Sequence, residues 1–289
     1  MNVSVRLGQL ACNILSRWPI NPLPPKPESG LNYLTIAGRS HWLMLRESML
    51  SLYRSWKKLP TITVVSDGSW LAADFYPVFS WWPGKINVVS PEEIIAEADA
   101  AGERELAKYA EASGWGLKVA SIVLFARREP VLFVDADILW FADPSDLLGP
   151  KDSWAEPRGV RESNCYQHRE MALRFCAGVL EPPFVNGGIL ALHGEFLTPA
   201  VLRAMVREAL VDPQDGAFEQ TIIASAVHMG AGLLPGEMSL VAFDDVDRFR
   251  QRNMRTEGYY SRHYVNWMRH LFYRDALKLR LERLDAAAS

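Results

Sequence analysis

Cysteine is scarce in this sequence: 289 residues hold three, Cys12, Cys165 and Cys176. So odd and sparse a set forms no disulfide framework and fits a reducing compartment. Cys165, His168 and Cys176 do not read as a zinc site, because their spacing matches no familiar pattern and no fourth ligand is evident. Long apolar runs are missing too. The stretch through Pro130–Phe141 contains acids and falls short of the roughly 18–20 residues a transmembrane helix needs. Gln9, Asn13 and Arg17 interrupt any signal-peptide core, so a cytoplasmic protein is expected. A basic excess is also lacking: 31 Lys and Arg face 34 Asp and Glu, a formal charge of −3. No global positive field draws the chain to nucleic acid, and no such partner is expected.

What is present suits a soluble globular chain, with 49% hydrophobic residues supplying a substantial core. Residues 1–30 read as an N-terminal arm ending in a stiff linker, since NPLPPKPESG carries four prolines. Residues 31–289 read as one domain, with halves at 31–150 and 151–289. Asn32–Ala37, Thr61–Ser66, Lys85–Val89, Val131–Asp135 and Gly188–Leu192 are short apolar or β-branched runs that suit strands. Helical spacing recurs between them, over His41–Lys58, after Ser90-Pro91, over Leu106–Phe125 with a break near Gly114 and Gly116, and over Pro199–Leu210. Alternation of this kind implies an α/β fold, a sheet covered on both faces by helices.

The most informative segment is PVLFVDADILWFADP, Pro130–Pro144. A buried strand runs into two aspartates separated by one alanine. In extended chain such residues point to the same side, about 6.5–7 Å apart. Asp135 and Asp137 can therefore converge on one cation, while Ala136 lets a ligand approach the backbone. Ligands of open α/β sheets bind at the carboxyl ends of strands, where this pair is expected. Two carboxylates are hard oxygen ligands suited to Mg²⁺ or Mn²⁺, and such an ion neutralises the charge that grows on a departing diphosphate.

The strand, its DAD and the following ILWFADP resemble the metal-binding region of GT-A-fold glycosyltransferases, especially the glycogenin-like and galactosyltransferase-like groups of family eight. The resemblance lies in motifs and their order, from Asn32 to Tyr273. It implies a GT-A-like, Rossmann-type mixed central sheet. It also implies a nucleotide-binding first half, and a second half for donor sugar and acceptor with C-terminal helices. The implied activity is transfer of a sugar from a nucleotide-diphosphate sugar, typically a UDP-sugar, to an acceptor hydroxyl, with retention and with Mn²⁺ or Mg²⁺. By that resemblance Asn186, Gly187 and Gly188 of FVNGGILAL lie against the donor sugar. Glu219 and Gln220 of GAFEQTIIASA face it as the catalytic pair, although the family more often has Asp-Gln. His263 of RHYVNWMRHLFY completes the metal site with Asp135 and Asp137, with His270 as the fallback. Thr35, Ala37, Gly38, Asp67, Lys118 and Ala136 match positions around the nucleotide and its diphosphate.

Two other readings stand beside this one. A haloacid-dehalogenase-type phosphohydrolase also carries D-x-D at a strand end, but usually on its first strand and with a following Thr. A nucleotide-sugar-binding protein without transfer activity would use the same fold. The acceptor, whether glycan, lipid or protein, is expected to meet variable loops in Lys151–Pro183. Most of the ten tryptophans read as core or structural residues, while Trp70, Trp81, Trp82 and Trp154 lie in loops from which a ring could instead shape that site. The tail from Arg262 to Asp285 has six Lys or Arg against three acids and apolar residues at helical spacing, so it reads as a solvated amphipathic surface helix, with peripheral membrane contact through it as the alternative.

Overall fold

The structure is a computed structural model that describes residues 3–241, 258–265 and 268–288. Its strands are β1 (Glu28–Ala37), β2 (Leu59–Ser66), β3 (Ile86–Val89), β4 (Val131–Val134), β5 (Ile138–Trp140), β6 (Arg158–Glu162), β7 (Phe184–Leu192), β8 (Gly232–Leu233) and β9 (Ser261–His263). The helices are α1 (Val3–Arg17), α2 (Trp42–Ser55), α3 (Ala72–Val78), α4 (Pro91–Ala100), α5 (Arg104–Ala112) and α6 (Gly114–Arg128), then α7 (Ser145–Leu148), α8 (Arg169–Phe175), α9 (Pro199–Ala209), α10 (Gly216–Met229) and α11 (Arg269–Ala288).

Seven strands form one sheet in the order β3-β2-β1-β4-β7-β6-β8. The first four run parallel, and β7 is antiparallel to both β4 and β6, so the sheet is mixed. The period-2 rule shows in β4: Val131 and Phe133 enter a core shared with α4, α5, α6, α9 and α10, while Leu132 and Val134 enter one shared with α2. All four residues are fully buried, which explains the unbroken apolar run.

Local chemistry sets the helix starts. Ser90 and Glu93 make a reciprocal capping box with Pro91 at the first helical position of α4. Ser113 caps α6 by accepting from Gly116 N–H, and Asp215 caps α10 by accepting from Ala217 N–H. The anticipated break in Leu106–Phe125 falls at Ser113, where α6 approaches α5 so closely that a Cβ on Gly116 would stand 1.9 Å from the Tyr109 carbonyl oxygen.

Several expectations are corrected. The first residues, read as an arm, fold as α1, which packs on α11 with Ala11 and Leu15 buried and Gly8 against His270. The tail expected to be helical from Arg262 first forms β9, and the helix begins at Arg269. Trp70, Trp81, Trp82 and Trp154 are buried among core residues and do not shape a site in loops. The rings of Trp70, Trp81 and Trp82 pack edge-on or tilted against Phe75, Phe79, Tyr53 or one another, and Trp154 donates to Leu148 O. No helix among the described residues is long and apolar enough to cross a membrane.

A third apolar cluster joins α1, α2, β5 and α11 through Leu15, Leu43, Leu139, Leu271 and Phe272. Beside it, buried Glu47 of α2 accepts from Arg46 and from Arg280 of α11, the latter at 2.9 and 2.7 Å. Arg280 also donates to Trp18 O and Arg46 to Leu15 O, which fixes both chain ends against α2.

Candidate functional site

Beyond Val134 the chain makes a turn through Asp137 before β5, so the two aspartates do not sit on extended strand as the spacing argument supposed. The turn itself brings them together. Asp135 N–H donates to Gly188 O of β7 at 2.8 Å, and Asp137 O accepts from Tyr264 N–H at 3.0 Å. β5 pairs antiparallel with β9, and the register sets Ile138 opposite His263. The imidazole thereby stands next to Asp137, with Nε2 3.1 Å from Asp137 Oδ1 and 3.6 Å from Asp135 Oδ2. One ligand atom from each of the three residues lies within 4.8 Å of the others. Gly188 makes room for this, since a Cβ there would come within 2.4 Å of the His263 ring.

The hydrogen bonds behind the cluster fix the tautomer. Asn186 Nδ2 donates to Glu162 Oε2 at 2.8 Å, an acceptor, so the Asn186 oxygen points the other way. That oxygen accepts from Gly188 N–H at 2.8 Å and lies 2.8 Å from His263 Nδ1. Nδ1 must therefore carry hydrogen, and Nε2 faces two carboxylates. A neutral imidazole would aim its lone pair at two anions, an arrangement that requires a proton or a cation between them. Two carboxylate oxygens and one imidazole nitrogen, braced from behind, form a donor set that fits Mg²⁺ or Mn²⁺.

Cations surround the acids. Arg269 Nε donates to Asp137 Oδ2 at 3.1 Å. Lys118, buried on α6, reaches Asp135 and Glu219 at 3.0 Å each. Glu219 is fully buried, and its other oxygen accepts from Gln220 Nε2 at 3.0 Å. Burial raises the Asp137 pKa, yet His263 and Arg269 outweigh it and bring the value to about 2. Burial lowers that of His263, but the Asp137 and Asp135 carboxylates hold it above its ordinary 6.5. Glu219 is raised, because burial exceeds the pull of Lys118.

These groups wall a cavity of about 520 Å³ at the carboxyl ends of β1, β2 and β4. Of the residues singled out from sequence, Ala37, Gly38, Asp67, Lys118, Asp135, Ala136, Asp137, Asn186, Glu219, Gln220 and His263 border it. Asp67 is held by Ser69 N–H, and its carboxylate lies where a Cβ on Gly38 would be. Thr35, Gly187 and Gly188 are not brought to the cavity: Thr35 is buried within β1, and Gly187 packs on Ile223. The His270 backbone and Cβ lie against Gly8, and His270 does not border the cavity. Sequence reasoning missed His41, Trp115, Glu162, Tyr166 and Arg269, which also border the cavity. Arg269 lies six residues past His263 in a segment already singled out, but Glu162 sits in a short charged strand that gave no signal.

No protein-family model matches the chain, and no curated protein matches its sequence. Solved structures do. The WbbM bifunctional glycosyltransferase is 12% identical with a TM-score of 0.51, over 89% of this chain and 51% of that one. The chain thus spans about half the length of that protein. The galactosyltransferase LgtC, solved with donor and acceptor sugar analogues, is 12% identical with a TM-score of 0.51, over 85% of this chain and 95% of that one. Mouse xyloside xylosyltransferase 1 is 15% identical with a TM-score of 0.50, over 83% and 98%. At such identities the likeness is one of architecture, and the chain has the mixed α/β GT-A fold of these glycosyltransferases.

Proposed function

We propose that this chain is a glycosyltransferase that moves a sugar from a nucleotide-diphosphate sugar, with uridine as the expected base, to an acceptor hydroxyl. The observation that carries the reading is the Asp135–Asp137–His263 cluster, its histidine locked by Asn186, at the carboxyl end of β4 in a GT-A sheet. These three residues would hold Mn²⁺ or Mg²⁺, whose chemistry is to offset the negative charge of the diphosphate. Ala37, Gly38 and Asp67, at the ends of β1 and β2, would receive the nucleoside, with Asp67 accepting from base or ribose. Arg269 and Lys118 supply further positive charge beside the acids. Asn186 acts through His263, since both of its polar atoms are engaged. Glu219, tied to Lys118 and Gln220, positions the wall facing the sugar. The acceptor oxygen attacks the anomeric carbon, the bond from that carbon to the diphosphate oxygen breaks, and the acceptor's hydroxyl proton passes to the departing diphosphate.

The test is release of nucleoside diphosphate from a panel of nucleotide sugars, with and without Mn²⁺, alongside thermal shifts with the nucleotides alone. Metal-dependent release with one base, abolished in Asp137→Ala, supports transfer. Binding without any release identifies a nucleotide-sugar-binding protein. Absence of both binding and release, with free phosphate liberated from phosphomonoesters, returns the phosphohydrolase reading.

A further inference from the structure

α1 has two faces. Gly8, Ala11 and Leu15 are buried toward α11 and α2. Leu7, Leu10 and Ile14, spaced i, i+3, i+7 and therefore on one side of the helix, are 51%, 56% and 39% exposed. Nothing among the described residues covers them. Arg6 and Arg17, both exposed, border this stripe, and α1 contains no acid. α1, α2 and α11 as far as Glu282 carry eight Arg or Lys against three acids, although the whole chain is at −3. Each of those acids is already matched: Glu47 by Arg46 and Arg280, Asp275 by Arg262 and Arg274, Glu282 by Lys278.

We propose that the Leu7–Leu10–Ile14 face of α1 docks on an anionic lipid surface. An apolar stripe edged by arginine, on a layer with a local basic excess, is the pattern of a helix that lies in the interface of a negatively charged bilayer. A second copy fits less well, because it would set one basic layer against another. Gly8, on the buried face of α1, abuts His270, the residue after Arg269 of the cavity wall, so α1 packs beside the segment that supplies that wall. The inference does not depend on sugar transfer.

The experiment is co-sedimentation of the full chain with phosphatidylcholine vesicles, and with vesicles in which about one third of the lipid is phosphatidylglycerol. The chain sediments with the anionic vesicles alone, and added salt releases it. Leu10→Glu lowers the bound partition about tenfold or more, and Arg6→Gln with Arg17→Gln lowers it too, with the melting temperature unchanged in each. Failure to sediment with anionic vesicles overturns the proposal, as does sedimentation that Leu10→Glu leaves intact. A concentration-dependent dimer that Leu10→Glu dissociates, without vesicle binding, also overturns it and assigns the stripe to self-association.

Discussion

Two residues carry tests of the site that need no substrate. Gly188 permits the approach of His263, since a Cβ would come within 2.4 Å of the ring and 2.7 Å of Asn186 Oδ1. Neither neighbour can yield without leaving the hydrogen-bonded chain from Glu162 to Asp137. Gly188→Ala should cost about 1–3 kcal/mol by overpacking and abolish stabilisation by Mn²⁺. Calorimetry with and without the ion decides it, and an unchanged Mn²⁺ increment would remove His263 from the ligand set. Lys118 is the second. It compensates two acids from a nearly closed position, at 5% exposed, and Glu219 is at 0%. Lys118→Met strands a buried carboxylate and should destabilise by about 3–5 kcal/mol, with part recovered by adding Glu219→Gln. Denaturant titration of the single and double variants measures this, and independent effects that simply add would show that the two side chains are not paired.

At the scale of elements, the tie among α1, α2 and α11 is Glu47 with Arg46 and Arg280. Arg280→Ala should cost about 1–3 kcal/mol, because Glu47 stays buried and keeps Arg46 but loses the two hydrogen bonds from Arg280. Hydrogen exchange should then show α1 and α11 losing protection ahead of the central sheet; uniform loss across the chain would contradict a local clasp. None of this clasp was legible in sequence, because Glu47 and Arg280 are separated by most of the chain and neither stands out in a helix. Short buried strands were legible: β1, β2 and β4 are apolar runs ended by small or acidic residues, and burial on both faces leaves no alternation to misread. α1 was missed because Gly8, Gln9 and Asn13 dilute its apolar pattern, while its buried face needs α11 to make sense. β9 was hidden for a related reason: its hydrogen bonds to β5 exist only after the chain has closed on itself. In the candidate site the aspartates were legible because they adjoin β4 in sequence. Arg269 and Glu162 come from elements whose placement only the folded chain decides.

For the whole molecule, the cluster links cation binding to pH. Without metal, Asp137 has a pKa near 2, against an ordinary value of 3.8, so its contribution is present above the latter and is lost as pH falls through about 2. His263 is raised above 6.5, so its contribution is complete below that value and is lost as pH rises through its higher native pKa. Protonated Nε2 and a metal ion compete for the same space between the two carboxylates. Raising the pH from about 6 to about 8 should therefore weaken the metal-free fold and strengthen Mn²⁺ binding at once. The Mn²⁺-induced stabilisation, read as a rise in melting temperature, should grow over that interval; its free energy tends toward ~2.7 kcal/mol when free ion stands a hundredfold above its dissociation constant. His263→Gln keeps a polar side chain but has no proton to surrender, so its Mn²⁺ increment should be small and flat with pH. A wild-type increment that is large and equally flat would mean that the ion binds without displacing the His263 proton, and the ligand set drawn from the geometry would be wrong.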